Sequence, residues 1–560
     1  MSETSFSLPS WMCSMDGRRL RWQGYFFLIL ICFAFFVPGL VSLPPTDRDE
    51  SLFSQASKQM IETGNYVDIR IQNQPRYKKP IGIYWLQALS VRLFNPDHLN
   101  EIWAYRLPSL LGATLAVVMT AALGTLFFGP LTGVLAALMM AGCLVLNVEA
   151  RLAKTDAALL GTIMVAQYAL ARAYRLSIRS CFVPIVFWTA LGAGILIKGP
   201  IILLVVASTL IWVRVTEKNL TWAHSLKPLW GIPYVLLLTA PWFIAIAMQS
   251  HGQFIHDAGG QDFLAKIWQG QNRGILPPGL HFMVMPAVFF PFSLFILLAI
   301  PDVWKLRDQV PYPFLLGWAV PVWIVFELSL TKLPHYVLPV YPALALMAAQ
   351  ALVKGYPAWA ECRRPWLWGV AVAVWLIVGI SFAMLMVALP QIIDRVWSDG
   401  TLFVSGLMLL SMALSVFYLV KRRVQSIFVL VTGSLVFMTY TFGSTLPLLH
   451  NLWITRQIME AASLYKPCPV FHIVSASYDE PSLILMAGTQ TTFSPDGAVV
   501  ADALKKEGCT LGLLDTKHEG AFLSAFPPSE QQPLAVAHMQ GFNIGAGRSS
   551  DLTLYLMPLH

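Results

Sequence analysis

A polytopic α-helical membrane protein of about thirteen transmembrane helices, followed by a small C-terminal α/β extracytoplasmic domain, is the fold class this sequence predicts. Three observations predict it. Of 560 residues, 56% are hydrophobic and 12% charged, more apolar surface than one soluble core hides. Apolar windows of about 17–24 residues recur from Tyr25 to Leu446, each long enough as a helix to cross roughly 30 Å of hydrocarbon. Helices are required there, because lipid satisfies no backbone polar group. Finally, basic residues crowd alternate connections, which accounts for the +8 net charge without a nucleic-acid partner.

The windows place helices at about 24–43, 106–127, 130–148, 156–174, 181–197, 199–214, 229–248, 283–301, 313–329, 335–352, 366–389, 401–420 and 425–446. The first follows Arg18, Arg19 and Arg21 but lacks a small-x-small cleavage site and runs into Pro44-Pro45, so it reads as a retained helix. The basic connections hold Arg175 and Arg179; Arg214, Lys218 and Lys227; Lys305 and Arg307; Lys354, Arg363 and Arg364; and Lys421, Arg422 and Arg423. With the basic N-terminus they mark the cytoplasmic face. The connections at about 44–105 and 249–282, those containing Glu149 to Asp156, Lys198 and Lys332 to His335, and the tail from 451 then face outside.

The tail alternates short β-like runs at 469–475, 509–514, 534–539 and 552–557 with a helix-like stretch at 498–506. Domains at 1–450 and 451–560 follow. Cysteines are sparse and scattered; Cys468 and Cys509 are the pair that an oxidising compartment would join. Gly545 to Gly547 lacks the strand-turn-helix context and third glycine of a dinucleotide site.

The first outer connection opens with Asp47-Arg48-Asp49-Glu50, continues as an amphipathic helix over 52–62 that stops at Gly64-Asn65, and delivers Arg76-Tyr77-Lys78-Lys79-Pro80 ahead of the aromatic Tyr84-Trp85. Asp156 lies at the outer start of the fourth helix, and Thr331-Lys332-Leu333-Pro334-His335-Tyr336 interrupts two apolar helices on the same face. Solvated interfacial charges and an ordinary helix-start aspartate are the bland alternatives. Acids, lysines and aromatics converging at an outer interface suit chemistry on a lipid phosphate. Lysines hold the phosphate as its charge grows, and a carboxylate takes the proton of an attacking hydroxyl.

Read together, these motifs resemble the bacterial branch of the GT-C glycosyltransferases (family 39/83 type) that includes protein O-mannosyltransferase-like enzymes and lipid A aminoarabinose transferases. The matching elements are Asp49-Glu50 after helix one, Gly64-Asn65, Lys79-Pro80 before Tyr84-Trp85, Asp156, and Lys332 to Tyr336. The resemblance implies a GT-C membrane domain with interfacial helices in the 44–105 connection, and a sugar donor on a polyprenyl phosphate of the undecaprenyl type. It implies inverting transfer, of 4-amino-4-deoxy-L-arabinose among the candidate sugars, to lipid A or another lipopolysaccharide component at the periplasmic face of the bacterial inner membrane. Asp49 and Asp156 become the candidate catalytic acids. Lys79, Tyr336 and Lys332 become the candidate phosphate contacts, with Arg48, Glu50, Tyr84, His335 and Lys266 behind them.

No cofactor is required by these residues, and a divalent metal stays open. The aminoarabinose transferases carry an acid before the lysine of the Lys-Pro motif, where it helps bind zinc; Lys78 stands there in this chain and weakens such a site. The external loop at 259–281 holds Asp262, Lys266, Gln269, Gln271, Asn272, Arg273 and His281, and is read either as a plain polar loop or as a mobile cover. Transfer to Ser or Thr of secreted proteins is the alternative within enzymes. A lipid-linked sugar transporter or flippase is the rival from another class; it would place charges at the bilayer midplane and show inverted repeats.

Overall fold

The computed structural model describes residues 7–14, 16–176, 180–257, 277–357, 366–506, 508–529 and 531–558. Among them, six helices are long and apolar enough to cross a membrane: Trp103–Phe128, Pro228–Gln249, Pro334–Val353, Trp366–Asp394, Asp399–Val420 and Gln425–Leu448. Shorter apolar helices stand beside them at Trp22–Phe36, Pro130–Gly142, Phe182–Lys198 and Tyr312–Leu328. The chain is a multi-pass membrane protein. Its outward-facing leucines, isoleucines and methionines, such as Leu237, Ile377 and Met384, are exposed because their solvent is lipid.

In chain order the first elements are α1 (Trp22–Phe36), α2 (Asp49–Thr63), the two-residue strands β1 (Arg70–Ile71) and β2 (Gln74–Pro75), α3 (Gly82–Phe94) and α4 (Trp103–Phe128). Then come α5 (Pro130–Gly142), α6 (Leu144–Glu149), α7 (Asp156–Arg175), α8 (Phe182–Lys198), α9 (Ile201–Glu217) and α10 (Pro228–Gln249). Past residue 277 follow α11 (Leu280–Val288), α12 (Ser293–Leu306), α13 (Tyr312–Leu328), a 3-10 stretch Pro334–Val340 leading into α14 (Tyr341–Val353), then α15 (Trp366–Asp394), α16 (Asp399–Val420) and α17 (Gln425–Tyr440).

Three windows differ from their expected extent. α1 stops at Phe36, well short of residue 43, because Gly39 takes φ +86° where a Cβ would strike the Phe442 carbonyl. The third window breaks at Cys143, whose backbone is extended, and the eighth breaks over Phe289 to Phe292. The two breaks help satisfy each other. Leu144 N donates to Phe290 O at 2.9 Å, Ser434 Oγ donates to Gly142 O at 2.8 Å, and Trp375 Nε1 donates to Pro291 O at 2.7 Å. Irregular backbone at membrane depth survives where protein supplies such partners. Close crossing of α4 and α7 rests on Gly112 and Gly161, since a Cβ at Gly112 would meet the Ala157 carbonyl.

Between α1 and α4 the chain builds the expected amphipathic helix as α2, ended by Gly64 at φ +72°. The tail contains α18 (Ile454–Leu464), β3 (His472–Ala476), α19 (Pro481–Ala487), β4 (Thr492–Ser494), α20 (Gly497–Lys506), β5 (Thr510–Asp515), α21 (Thr516–Ser524), β6 (Leu534–Asn543) and β7 (Arg548–Leu556). The strands form one sheet in the order β4-β3-β5-β7-β6, parallel across β4-β3-β5 and antiparallel across β5-β7-β6. Cys468 and Cys509 are joined by a disulfide. Gly545 to Gly547 form the turn between β6 and β7. The sheet unit sits on the first connection through α19. Leu485 packs with Val91, Ile102 and Tyr105, while Lys58 Nζ donates to Leu485 O at 3.2 Å and Gln55 Nε2 to Thr489 Oγ1 at 2.9 Å.

Candidate active site

A cavity of about 450 Å³ opens where the first connection meets the ends of α7, α8, α9 and the Pro334–Val340 segment. Its polar end is lined by Asp49, Arg76, Lys78, Lys79, Lys154, Asp156, Lys198, His335 and Tyr336. Its apolar wall comes from Leu159, Ile201, Leu204, Val325, Phe326 and Leu338. Charge at one end and hydrocarbon along the other matches a lipid with a phosphate head.

The four charged residues that open the first connection divide their work. Glu50 is fully buried. Its Oε1 accepts from Arg106 Nε at 2.8 Å and from Ala153 N at 3.0 Å; its Oε2 accepts from Thr46 N at 2.8 Å, Thr46 Oγ1 at 2.9 Å and Arg106 Nη2 at 3.1 Å. Burial alone would raise the Glu50 carboxyl, but the Arg106 charge and these donors outweigh it and hold the group below its ordinary value. Arg106 also donates to Leu40 O, Leu43 O and Pro44 O, tying down the chain where it leaves α1. Arg48 precedes α2 at φ +64° and donates to Gly545 O in the β6–β7 turn. Asp47 is hydrogen-bonded to Ser482, and burial beside Glu480 raises its pKa to about 6. Asp49 alone of the four lines the cavity. Its carboxylate stands 3.9 Å from Arg76 Nη2 and is 63% exposed.

Arg76 is fixed in turn by donating to Tyr84 Oη at 2.9 Å and by lying over the Phe53 ring. Tyr84 is therefore a buried support beneath the cavity.

Across from Asp49, Asp156 begins α7 and accepts from Lys198 Nζ at 2.5 Å. His335 bridges two carboxylates, with Nε2 3.9 Å from Asp156 and Nδ1 3.7 Å from Glu149. Glu149 in turn accepts from Lys154 Nζ at 3.1 Å. The Lys198 ammonium lies 5.9 Å from the centre of the Tyr336 ring. Lys154, Glu149, His335, Asp156 and Lys198 thus form one largely shielded chain, of which Lys154, His335, Asp156 and Lys198 line the cavity.

Lys332 does not line the cavity. It is buried and donates to Ser329 O at 2.7 Å. The segment carrying it is pinned by His281, fully buried at the start of α11, whose ring nitrogens lie 2.7 Å from Glu327 Oε2 and 3.1 Å from Leu333 O. Lys266, with Asp262, Gln269, Gln271, Asn272 and Arg273, lies outside the described residues, as do Arg179, Arg363 and Arg364. Sequence reasoning left Lys154, Lys198, Glu149 and Arg106 off the candidate list. The usable signal was a charge placed inside or at the rim of an apolar window, which is costly unless paired.

Among the described residues no group of three or more His, Cys, Asp or Glu is placed to hold a metal ion. The donor chemistry points the same way, because lysines occupy Glu149 and Asp156 and the exposed Lys78 stands at the cavity rim. These residues do not fit a zinc site.

A model of the family described as dolichyl-phosphate-mannose-protein mannosyltransferase matches residues 78–244. The chain is 26% identical to an undecaprenyl phosphate-alpha-4-amino-4-deoxy-L-arabinose arabinosyl transferase of Pseudomonas fluorescens over 58% of its own length and 59% of the relative's. It is 26% identical to the corresponding transferase of Pseudomonas paraeruginosa over 60% of each chain. It therefore spans about three fifths of the length of these curated relatives. Its fold is that of ArnT from Cupriavidus metallidurans bound to undecaprenyl phosphate, with a TM-score of 0.74 over 95% of this chain and 98% of that one at 17% identity. The apo state of the same protein gives 0.72. The resemblance to GT-C glycosyltransferases of the aminoarabinose transferase type is thus found in both sequence and fold.

Proposed function

We propose that this chain is a membrane glycosyltransferase that moves a sugar from a polyprenyl phosphate, of the undecaprenyl type, to lipid A or another lipopolysaccharide component, inverting the anomeric centre. The observation that carries the reading is the cavity, in which cations and two carboxylates meet a hydrocarbon wall. The lipid chain lies along Leu159, Leu204 and Phe326, and the phosphate faces Lys79 and Tyr336.

Asp49 is the general base. It is loosely paired and open to the cavity, whereas Asp156 is closed onto Lys198. The acceptor hydroxyl gives its proton to the Asp49 carboxylate while its oxygen bonds to the anomeric carbon. The bond from that carbon to the phosphate oxygen breaks, and its electron pair leaves with the phosphate. The cationic wall stabilises the growing charge. Asp156 fixes the Lys198 ammonium and, with His335, shapes the wall. Arg48, Glu50, Tyr84 and Lys332 act by holding the segments that carry these groups.

The basic loops support a cytoplasmic N-terminus, thirteen crossings and a periplasmic 451–560 domain in the bacterial inner membrane. A C-terminal reporter active in the cytoplasm would refute that sidedness. The test of function is turnover of polyprenyl-phosphate sugars by the purified protein. Activity that is lost in Asp49→Asn and in Asp156→Asn supports the assignment; unchanged rates in both variants, or no turnover with any donor, refute it. The match to the mannosyltransferase family favours a second reading, with Ser or Thr of secreted proteins as acceptor. Mass spectrometry of lipid A and of periplasmic glycoproteins from a deletion strain separates the two.

A further inference from the structure

We infer that the C-terminal domain is a working part of the transferase: its β6–β7 turn grips Arg48 and so aims Asp49 into the cavity, which makes Arg48 and Asn543 positioning residues. The inference rests on the reading of Asp49 as the base. The four side chains from Asp47 to Glu50 diverge within one turn of chain. Asp47 goes to Ser482, Arg48 to the Gly545 carbonyl, Asp49 to the cavity and Glu50 to Arg106. The divergence is made at Arg48, whose φ of +64° and ψ of −113° crowd a β-carbon. Strain of this kind persists only where the surroundings over-determine it.

No side chain caps α2 at Arg48, so its conformation is set from outside the helix. Asp49 has an anchor on each side. The Glu50–Arg106 pair supplies the one that follows it, and the C-terminal domain supplies the one that precedes it. Arg48 donates to the Gly545 carbonyl, and its charge offsets part of the burial cost of the Asp47 and Glu480 carboxyls. The turn that presents Gly545 is built by Asn543, which is buried. Asn543 Oδ1 accepts from Ala546 N at 2.9 Å, and its carbonyl accepts from Gly547 N at 2.8 Å. Arg48 does not line the cavity, so it acts through its neighbour. With the grip released, the backbone at 48 relaxes toward negative φ, and Asp49 turns away from the substrate about the fixed Glu50.

The test uses the full chain in nanodiscs, with turnover of a polyprenyl-phosphate sugar and hydrogen exchange over 46–50 read separately. Arg48→Ala and Asn543→Ala should each lower kcat about tenfold or more, with KM for the donor within about twofold of the parent, because Lys79 and Tyr336 are untouched. The double variant should be no slower than Arg48→Ala, since both changes break one contact. Arg48→Lys, which keeps the charge and a donor, should recover most of the loss. Thr489→Ala removes another contact between the domains, the bond from Gln55, and should leave kcat and exchange over 46–50 as in the parent. Parental kcat in both single variants, or an equal fall in Thr489→Ala, overturns the inference. If Arg48→Ala does not fold, Asn543→Ala decides, because it leaves Arg48 in place. A parent that turns over no donor removes the glycosyltransferase reading, and exchange then decides the grip: faster exchange over 46–50 in Arg48→Ala and Asn543→Ala upholds it, and parental exchange overturns it.

Discussion

Two carboxylate–cation pairs lie close together in this molecule and do opposite things. Glu50 and Arg106 are sealed from solvent, and every oxygen of the carboxylate and every nitrogen of the guanidinium has a partner in the chain. Asp156 and Lys198 make a shorter bond, yet both line a cavity and share His335 and Tyr336 with it. Complete satisfaction marks a fastening; a pair open on one side marks a surface that a substrate finishes. Burying a charge is costly in either case, and the difference lies in what the remaining valences face.

The largest expected effect comes from breaking the fastening. Arg106→Met leaves Glu50 buried without its partner and should destabilise the protein by about 3–5 kcal/mol, read as loss of the monodisperse peak in size exclusion or a collapsed Tm. A stable Arg106→Met protein would erase the distinction between the two pairs. Next come the open carboxylates. Asp49→Asn and Asp156→Asn should keep a near-normal Tm while kcat falls about 100-fold or more for Asp49, the proposed base, in donor-turnover assays.

A smaller effect is expected where the sheet unit grips the first connection. A Cβ at Gly545 would meet the Glu480 carboxylate, the end of a side chain that can swing aside, so Gly545→Ala should cost less than about 1 kcal/mol while loosening the turn that holds Arg48, measured as faster hydrogen exchange over 46–50.

A pH dependence is also expected. Burial first, and the charge of Glu480 with it, raises Asp47 from 3.8 to about 6, so the folded state binds this proton more tightly than the unfolded chain. Its contribution is complete below about pH 4 and is lost as pH rises through about 6. Asp47→Asn should therefore match the parent near pH 4 and exceed it in Tm by pH 7. A difference of opposite sign would mean that the ionised carboxylate is the favoured form.

Much of the membrane architecture was legible because its signal is local. Apolar runs of bilayer length must be helices, and the ends of α4, α7, α8 and α10 fall within a few residues of their windows. The breaks at Cys143 and at Phe289 to Phe292 were not legible. The apolar run continues through both, and the partners that permit them are distant in sequence, as in the bond from Leu144 N to Phe290 O. The candidate site shows the same division. The motif Asp47-Arg48-Asp49-Glu50 announced itself, but one helical step turns a side chain by about 100°, so neighbours face different worlds. Only the fold reveals that Glu50 points to Arg106 while Asp49 points to the cavity. Lys154 and Lys198 were visible as charges at helix ends, yet their pairing with Glu149 and Asp156 needed three elements brought together.

The central claim is that one half-open, cation-lined cavity holds a lipid phosphate with Asp49 and Asp156 on either side. A cryo-EM structure with a non-transferable polyprenyl-phosphate sugar tests it most directly. The account predicts phosphate density at Lys79 and Tyr336, lipid density along Leu159, Leu204 and Phe326, and the anomeric carbon within reach of an acceptor bound at Asp49. Lipid density at another face of the molecule, with this cavity empty, would contradict it.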